Sequence, residues 1–199
     1  MSTRFDPRTL PGGRRLPTEE DFDPELDQPT ELEQGTHTDT PIAGRAMVVV
    51  VDDRVSGQPD SIGPLVTELL DEEGFLVGGV VGVPAEETEV RKALETAVVG
   101  GFDFVVTVGG TGVGPRDVTP EVTEEILDQR LPGIAEALRS SGLTAGAVDA
   151  IVSRGHVGVS GSTVVANLAP SRAAIRDGMA TLCPLVSYVV GQLSAIDEL

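Results

Sequence analysis

In the first half of the chain, three β-branched apolar runs alternate with two stretches in which apolar residues return at helical spacing. Residues 46–51 form a continuous apolar run, the pattern of a strand buried on both faces. A loop containing Gly57, Pro59 and Asp60 follows. Leu65, Val66, Leu69 and Leu70 then mark a helix with Asp60 or Ser61 at its cap and Gly74 at its stop. Phe75 to Val83 reads as a second strand ended by Pro84. Residues 85–99 read as a helix with Val90, Leu94, Ala97 and Val98 on one face, closed by Gly100 and Gly101. Phe102 to Val108, rich in Val, Phe and Thr and too short for a helix, reads as a third strand. A β-α-β-α-β order with right-handed crossovers predicts an α/β domain whose largely parallel sheet is covered on both faces.

The second half is less regular. Its pattern predicts helices over residues 119–129 and 132–141, short β-like pieces at 150–153 and 156–159, and a buried strand at 163–168. Ala169-Pro170-Ser171-Arg172 is a second strand-to-helix junction. A helix to Met179 and a separate apolar segment from Leu182 to Leu193 complete the domain. The beginning of the chain differs in kind: Pro7, Pro11, Pro17, Pro24 and Pro29 accompany an acidic run from Glu19 to Asp27. Such a segment buries too little apolar surface to offset its ordering entropy. Residues 1–43 are therefore expected to be a disordered tail and residues 44–199 the folded domain.

The stretch with the clearest chemistry joins the third strand to the following helix: Gly109-Gly110-Thr111-Gly112-Val113-Gly114-Pro115-Arg116-Asp117-Val118-Thr119-Pro120. Glycines let the backbone reach positive φ and approach a ligand without a Cβ in the way. Thr119 suits an N-cap and Pro120 the first helical position. A strand, glycine loop and helix N-terminus together suit an anion such as a phosphate. The loop lacks the Gly-Lys-Ser/Thr of a Walker A motif and the G-x-G-x-x-G spacing of a dinucleotide fold. Asp52-Asp53-Arg54, just past the first strand, stands where open α/β sheets place ligand contacts. His37 falls in the tail and reads as solvated.

Charge narrows the partners. The formal net charge is −18, and Lys92 is the only lysine. Acid-rich, lysine-poor composition suggests adaptation to high salt. It argues against nucleic acid or an anionic membrane as partner, since both require a basic footprint. At molar salt the Debye length is about 3 Å, so distant carboxylates do not repel an anionic substrate. Cys183 is the only cysteine, which excludes an intrachain disulfide and a cysteine metal cluster. No apolar signal core and no apolar run near the ~20 residues of a bilayer span is read, so a cytoplasmic protein is expected.

Taken whole, the segment from Gly109 to Glu121 resembles the signature of the MogA/MoaB family of molybdenum cofactor biosynthesis, which includes the gephyrin G domain. Asp53-Arg54, Gly63-Pro64, Leu131-Pro132-Gly133 and Ser153-Arg154 fall in the family's order, and the resemblance runs from Ala46 to about Leu193. It implies a three-layer α/β/α molybdopterin-binding fold assembled as a homotrimer or homohexamer. It also implies molybdopterin adenylyltransferase activity with Mg²⁺, ATP and molybdopterin being the substrates. By the same resemblance, Asp117 is the essential carboxylate and anchors Mg²⁺. Gly109, Gly110, Thr111 and Gly112 hold phosphate, Asp53 and Ser171 contact the ligand, and Arg116 either clamps phosphate or pairs with an acidic neighbour.

Three positions depart from the family pattern. Pro84-Ala85 stands where Pro-Asp is usual, leaving Glu86 as the substitute metal carboxylate. Asn167-Leu168-Ala169-Pro170-Ser171-Arg172 replaces Asn-Leu-Pro-Gly-Ser-Pro, and Ile62 replaces a small residue before Gly-Pro. These departures motivate an alternative: a diverged, non-catalytic paralogue that binds a pterin or another phosphorylated ligand. Relatives of the CinA type or the MoeA type form a third possibility.

Overall fold

The computed structural model describes residues 43–52 and 61–197. The expected tail and the loop carrying Asp53, Arg54, Gly57, Pro59 and Asp60 lie outside the described residues. The elements in order are β1 (Gly44–Val51), α1 (Ile62–Glu72), β2 (Phe75–Val83), α2 (Glu87–Val99), β3 (Phe104–Val108) and α3 (Thr119–Ile126). There follow β4 (Gln129–Arg130), α4 (Pro132–Thr144), α5 (Val148–Ile151), β5 (Val157–Ser160), β6 (Thr163–Leu168) and α6 (Arg172–Asp197).

Among the described residues six strands form one sheet in the order β2-β1-β3-β6-β5-β4. The β2, β1, β3 and β6 strands run parallel, while β5 and β4 add antiparallel pairs at one edge. Alternate residues of β1, β3 and β6 enter opposite cores. Val48, Val50, Phe104, Val106 and Val108 pack with Leu65, Val66, Ile175, Met179 and Leu182, so α1, α4 and α6 cover one face. Val49, Val51, Val105 and Val165 pack with Val90, Leu94, Ala97 and Val122, so α2 and α3 cover the other. The fold is the expected three-layer α/β/α arrangement.

Several boundaries differ from the sequence reading. The α3 helix stops at Ile126, because Gln129 and Arg130 pair with Val159 and Gly158 as an edge strand. Residues 150–153 are not β-like: α5 is a single helical turn. Ala150 and Ile151 are half-buried and Val152 beyond them is exposed, so the apolar residues that suggested a strand are not strand core. Ser61 occupies the cap of α1 but makes no side-chain cap bond. The α2 helix begins at Glu87, after an extended Glu86.

The largest difference is α6, one 26-residue helix with Pro184 inside it. A proline removes one helical N–H and crowds the carbonyl four residues back. Here both Pro184 and Ala180 are exposed, so water can serve the carbonyl left without a helical partner. Meanwhile Ile175, Met179, Leu182, Val186 and Val190 form a buried stripe at helical spacing. The stretch Arg172–Ala195 is also long and apolar enough by composition to span a bilayer, contrary to the expectation of no such run. Its apolar stripe is spent on the core instead. Cys183 is buried there, and burial pushes its thiol up to about 12, which keeps it unreactive at neutral pH.

Candidate functional site

Strand order places the site. From β1 the chain moves to β2 on one side, then returns across β1 to β3 on the other. That reversal opens a crevice at the carboxyl ends of β1 and β3, where open α/β sheets bind ligands. A cleft of about 180 Å³ lies there. Val51 and Asp52 reach it from the end of β1, and Gly109 and Gly110 from the end of β3. Arg116 and Asp117 close it from the glycine loop, while Ile62, Ala85 and Pro170 complete its wall.

Packing dictates the glycines at the loop's start. Gly109 and Gly110 have φ of +103° and +63°, values strained for any residue with a Cβ. A Cβ on Gly109 would also collide with the Val51 carbonyl, and one on Gly110 with the Thr119 hydroxyl. The loop is tied at both ends. Gly109 N–H donates to the Leu168 carbonyl at 3.0 Å, and Thr119 N–H to the Gly110 carbonyl at 3.1 Å. The Thr119 hydroxyl, expected as an N-cap, instead donates to the Gly109 carbonyl at 2.9 Å. Val118 occupies the cap position. Thr119 therefore fastens the loop to α3.

Asp117 turns its carboxylate back into the loop and accepts the Gly114 N–H at 2.7 Å. Its Oδ2 sits 2.8 Å from where a Cβ on Gly112 would be. Among the described residues, no acceptor meets the backbone N–H of Gly110, Thr111 or Gly112. A run of such donors next to a carboxylate offers an anion one face and a cation the other.

The predicted residues do not all converge. Gly109, Gly110, Arg116 and Asp117 line one cleft. Thr111 is buried, which turns its side chain inward, and Gly112 flanks the Asp117 carboxylate. Ser171 lies beside the cleft and is engaged elsewhere: its hydroxyl donates to Asp149 at 2.7 Å and accepts the Ala174 N–H at 3.2 Å. Glu86 is exposed at the start of α2 and does not line the cleft. Asp53 lies outside the described residues. Its neighbour Asp52, read with Asp53 as standing past the first strand where ligands bind, does line the cleft.

Two further elements stiffen the site. Asn167, buried on β6, donates its amide to the hydroxyls of Thr107 and Thr123 at 2.9 Å each and accepts the His156 N–H at 2.9 Å. A satisfied buried network of this kind fixes one register between β3, β6 and α3. Arg154 reaches the glycine loop with its guanidinium and pairs with Glu121, holding the Glu121 carboxyl below its usual range. Its only sequence signal was its place in Ser153-Arg154.

Burial lowers the His156 pKa below 6.5, against the opposing pull of Glu124. The unfolded chain therefore takes up this proton at higher pH than the folded chain. Stability is expected to fall as pH drops below 6.5 through the lower folded value, with a slope below one proton per molecule. Denaturation midpoints from pH 7.5 to 5 check this, and His156→Gln should flatten that segment of the curve.

Comparison with known proteins agrees with this geometry. Residues 46–188 match a family described as a probable molybdopterin binding domain. The crystal structure of a molybdopterin biosynthesis protein from Mycobacterium abscessus superposes with a TM-score of 0.76 at 58% identity, covering 78% of this chain and 99% of that one. A molybdenum cofactor biosynthesis bifunctional protein of Synechococcus elongatus is 32% identical over 77% of this chain and 48% of its own length. A molybdopterin adenylyltransferase of Helicobacter pylori is 38% identical over 44% of this chain and 49% of its own. The chain thus spans about half the length of these last two relatives. With the glycine loop, the switch-point cleft and the matched region coinciding, the chain belongs to the MogA/MoaB family of molybdopterin-binding domains in molybdenum cofactor biosynthesis.

Proposed function

We propose that the chain catalyses molybdopterin adenylyl transfer. A terminal phosphate oxygen of molybdopterin attacks the α-phosphorus of ATP, the bond to the β-phosphate breaks, and pyrophosphate leaves. The observation that carries this reading is the Asp117 carboxylate set at the switch point against N–H groups of Gly110 to Gly112 that meet no acceptor among the described residues. Phosphoryl-type transfer asks a protein chiefly to position two anions and to neutralise charge. The adenylyltransferase of Helicobacter pylori, related over part of the chain, supports the same chemistry.

The donor set fits Mg²⁺. No cluster of three or more His, Cys, Asp or Glu able to hold a metal occurs among the described residues. Mg²⁺ requires no such cluster, since one or two carboxylates plus substrate phosphates suffice. Asp117 and Asp52 would supply them, and Glu86 remains a candidate only through a rearranged turn. When bound, the ion would offset charge on the phosphates. The protein's own share is backbone donors from the glycine loop and the cationic Arg116 beside the cleft. The expected assembly is a homotrimer or homohexamer.

The test is purified protein with molybdopterin, Mg-ATP and molar KCl, monitored for adenylylated pterin and pyrophosphate. Formation of both supports the reading; tight pterin binding without either product overturns it. That second outcome is what a non-catalytic paralogue predicts. The specific observation in its favour is that Ile62, Ala85 and Pro170, the three departures from the family pattern, line one cleft. A methyl binds no metal, and proline offers no backbone donor.

A further inference from the structure

We infer that Arg154 is the positioning residue of the anion loop, collecting its carbonyls on one side so that its N–H groups are left for a phosphate. Arg154 precedes β5 and is far from the loop in sequence, yet bonds it at three points. Its backbone N–H donates to the Thr111 carbonyl at 2.9 Å. Its Nε donates to the Gly112 carbonyl at 2.6 Å, and its Nη2 to the Asp117 carbonyl at 2.6 Å. The remaining arm pairs with Glu121 in the first turn of α3.

Peptide planarity turns these contacts into a directional device. In a trans peptide, the carbonyl of one residue and the N–H of the next point in opposite directions. Drawing the Thr111 carbonyl towards Arg154 therefore aims the Gly112 N–H away from it. The same geometry aims the Val113 N–H away through Gly112, and the Val118 N–H away through Asp117. Among the described residues neither Gly112 nor Val113 N–H meets an acceptor. Three carbonyl dipoles that would repel a phosphate are thus held on the guanidinium side. Glu121 balances the Arg154 charge, so the contribution is one of geometry and not of net field. A lysine has the charge but not the planar fork, and it cannot span Gly112 and Asp117 together.

This inference rests on the adenylyl-transfer reading for its ligand, but its test has an arm independent of that reading. Amide hydrogen exchange is measured on the ligand-free protein for Arg154→Ala and Arg154→Lys. Exchange at Gly114, Asp117 and Thr119, whose N–H groups are bonded within the loop, should accelerate at least about tenfold in both, with β1 and β3 amides unchanged. Unaltered loop exchange overturns the inference, whether or not the protein makes adenylylated pterin. Where product forms, KM for Mg-ATP should rise about tenfold in both variants, while kcat falls less than about threefold. Millimolar guanidinium should restore KM in Arg154→Ala. A melting temperature that falls with KM unmoved, or a Lys variant matching the parent, would overturn it as well.

Discussion

Asp117→Ala is expected to reduce adenylyl transfer by about 10²–10³-fold, the range found when one directed electrostatic group is removed from a reacting phosphate or oxyanion. Its effect on the fold should be small. The carboxylate is partly buried and accepts one backbone bond, from Gly114, and a bond to a charged group contributes about 1.5 kcal/mol at the low end of its range. A domain of this size then melts about 3–6 °C lower. Asp117→Asn separates the two roles, because its amide oxygen still accepts the Gly114 N–H while the charge is gone. Steady-state pyrophosphate release and a thermal melt on both variants provide the check. If Asp117→Asn keeps full activity, the carboxylate has no part in holding a cation and the site assignment is wrong.

Gly109→Ala is expected to have the largest effect on stability. The substitution forces a Cβ onto a residue at φ +103° and drives it into the Val51 carbonyl. Backbone cannot swing aside as a side chain does, because Val51 is held in β1 between β2 and the core. Strain at such a position costs on the order of 3 kcal/mol, a fall of about 6–12 °C in melting temperature. Activity should fall with it, since the Gly109 carbonyl is where Thr119 anchors α3. Differential scanning calorimetry gives the answer. A Gly109→Ala protein that melts with the parent would show that the loop does not need this geometry.

The two variants differ in how far each was legible in the residues. Asp117 stood out in an ordered motif, and its place in the cleft agrees with that reading. Gly109 was legible as a permissive residue, but its obstacle, the Val51 carbonyl, comes from a strand more than fifty positions away. The same divide separates the other site residues. Asp52 and Asp53 could not be told apart by spacing, and only the end of β1 brings Asp52 to the cleft. Thr119 looked like a cap because Thr-Pro is a common helix start, yet a bond to Gly109 claims its hydroxyl. Ser171 was read as a ligand contact, and the fold adds a partner that spacing did not show, Asp149.

The chain's own pattern determined the α/β class, the parallel half of the sheet, the buried strands and the glycine loop after β3. Periodicity, β-branching and glycine placement act over a few residues, so they can be read locally. Tertiary structure alone decided that α6 runs through Pro184, that α5 is helical, and that Ile62, Ala85 and Pro170 meet in one cleft. It also brought Arg154 to Gly112 and Asp117, and Asn167 to Thr107 and Thr123. Each of those outcomes depends on which strands become neighbours. Strand adjacency is set by the packing of the whole sheet between its two helical layers, and no short window of sequence contains it.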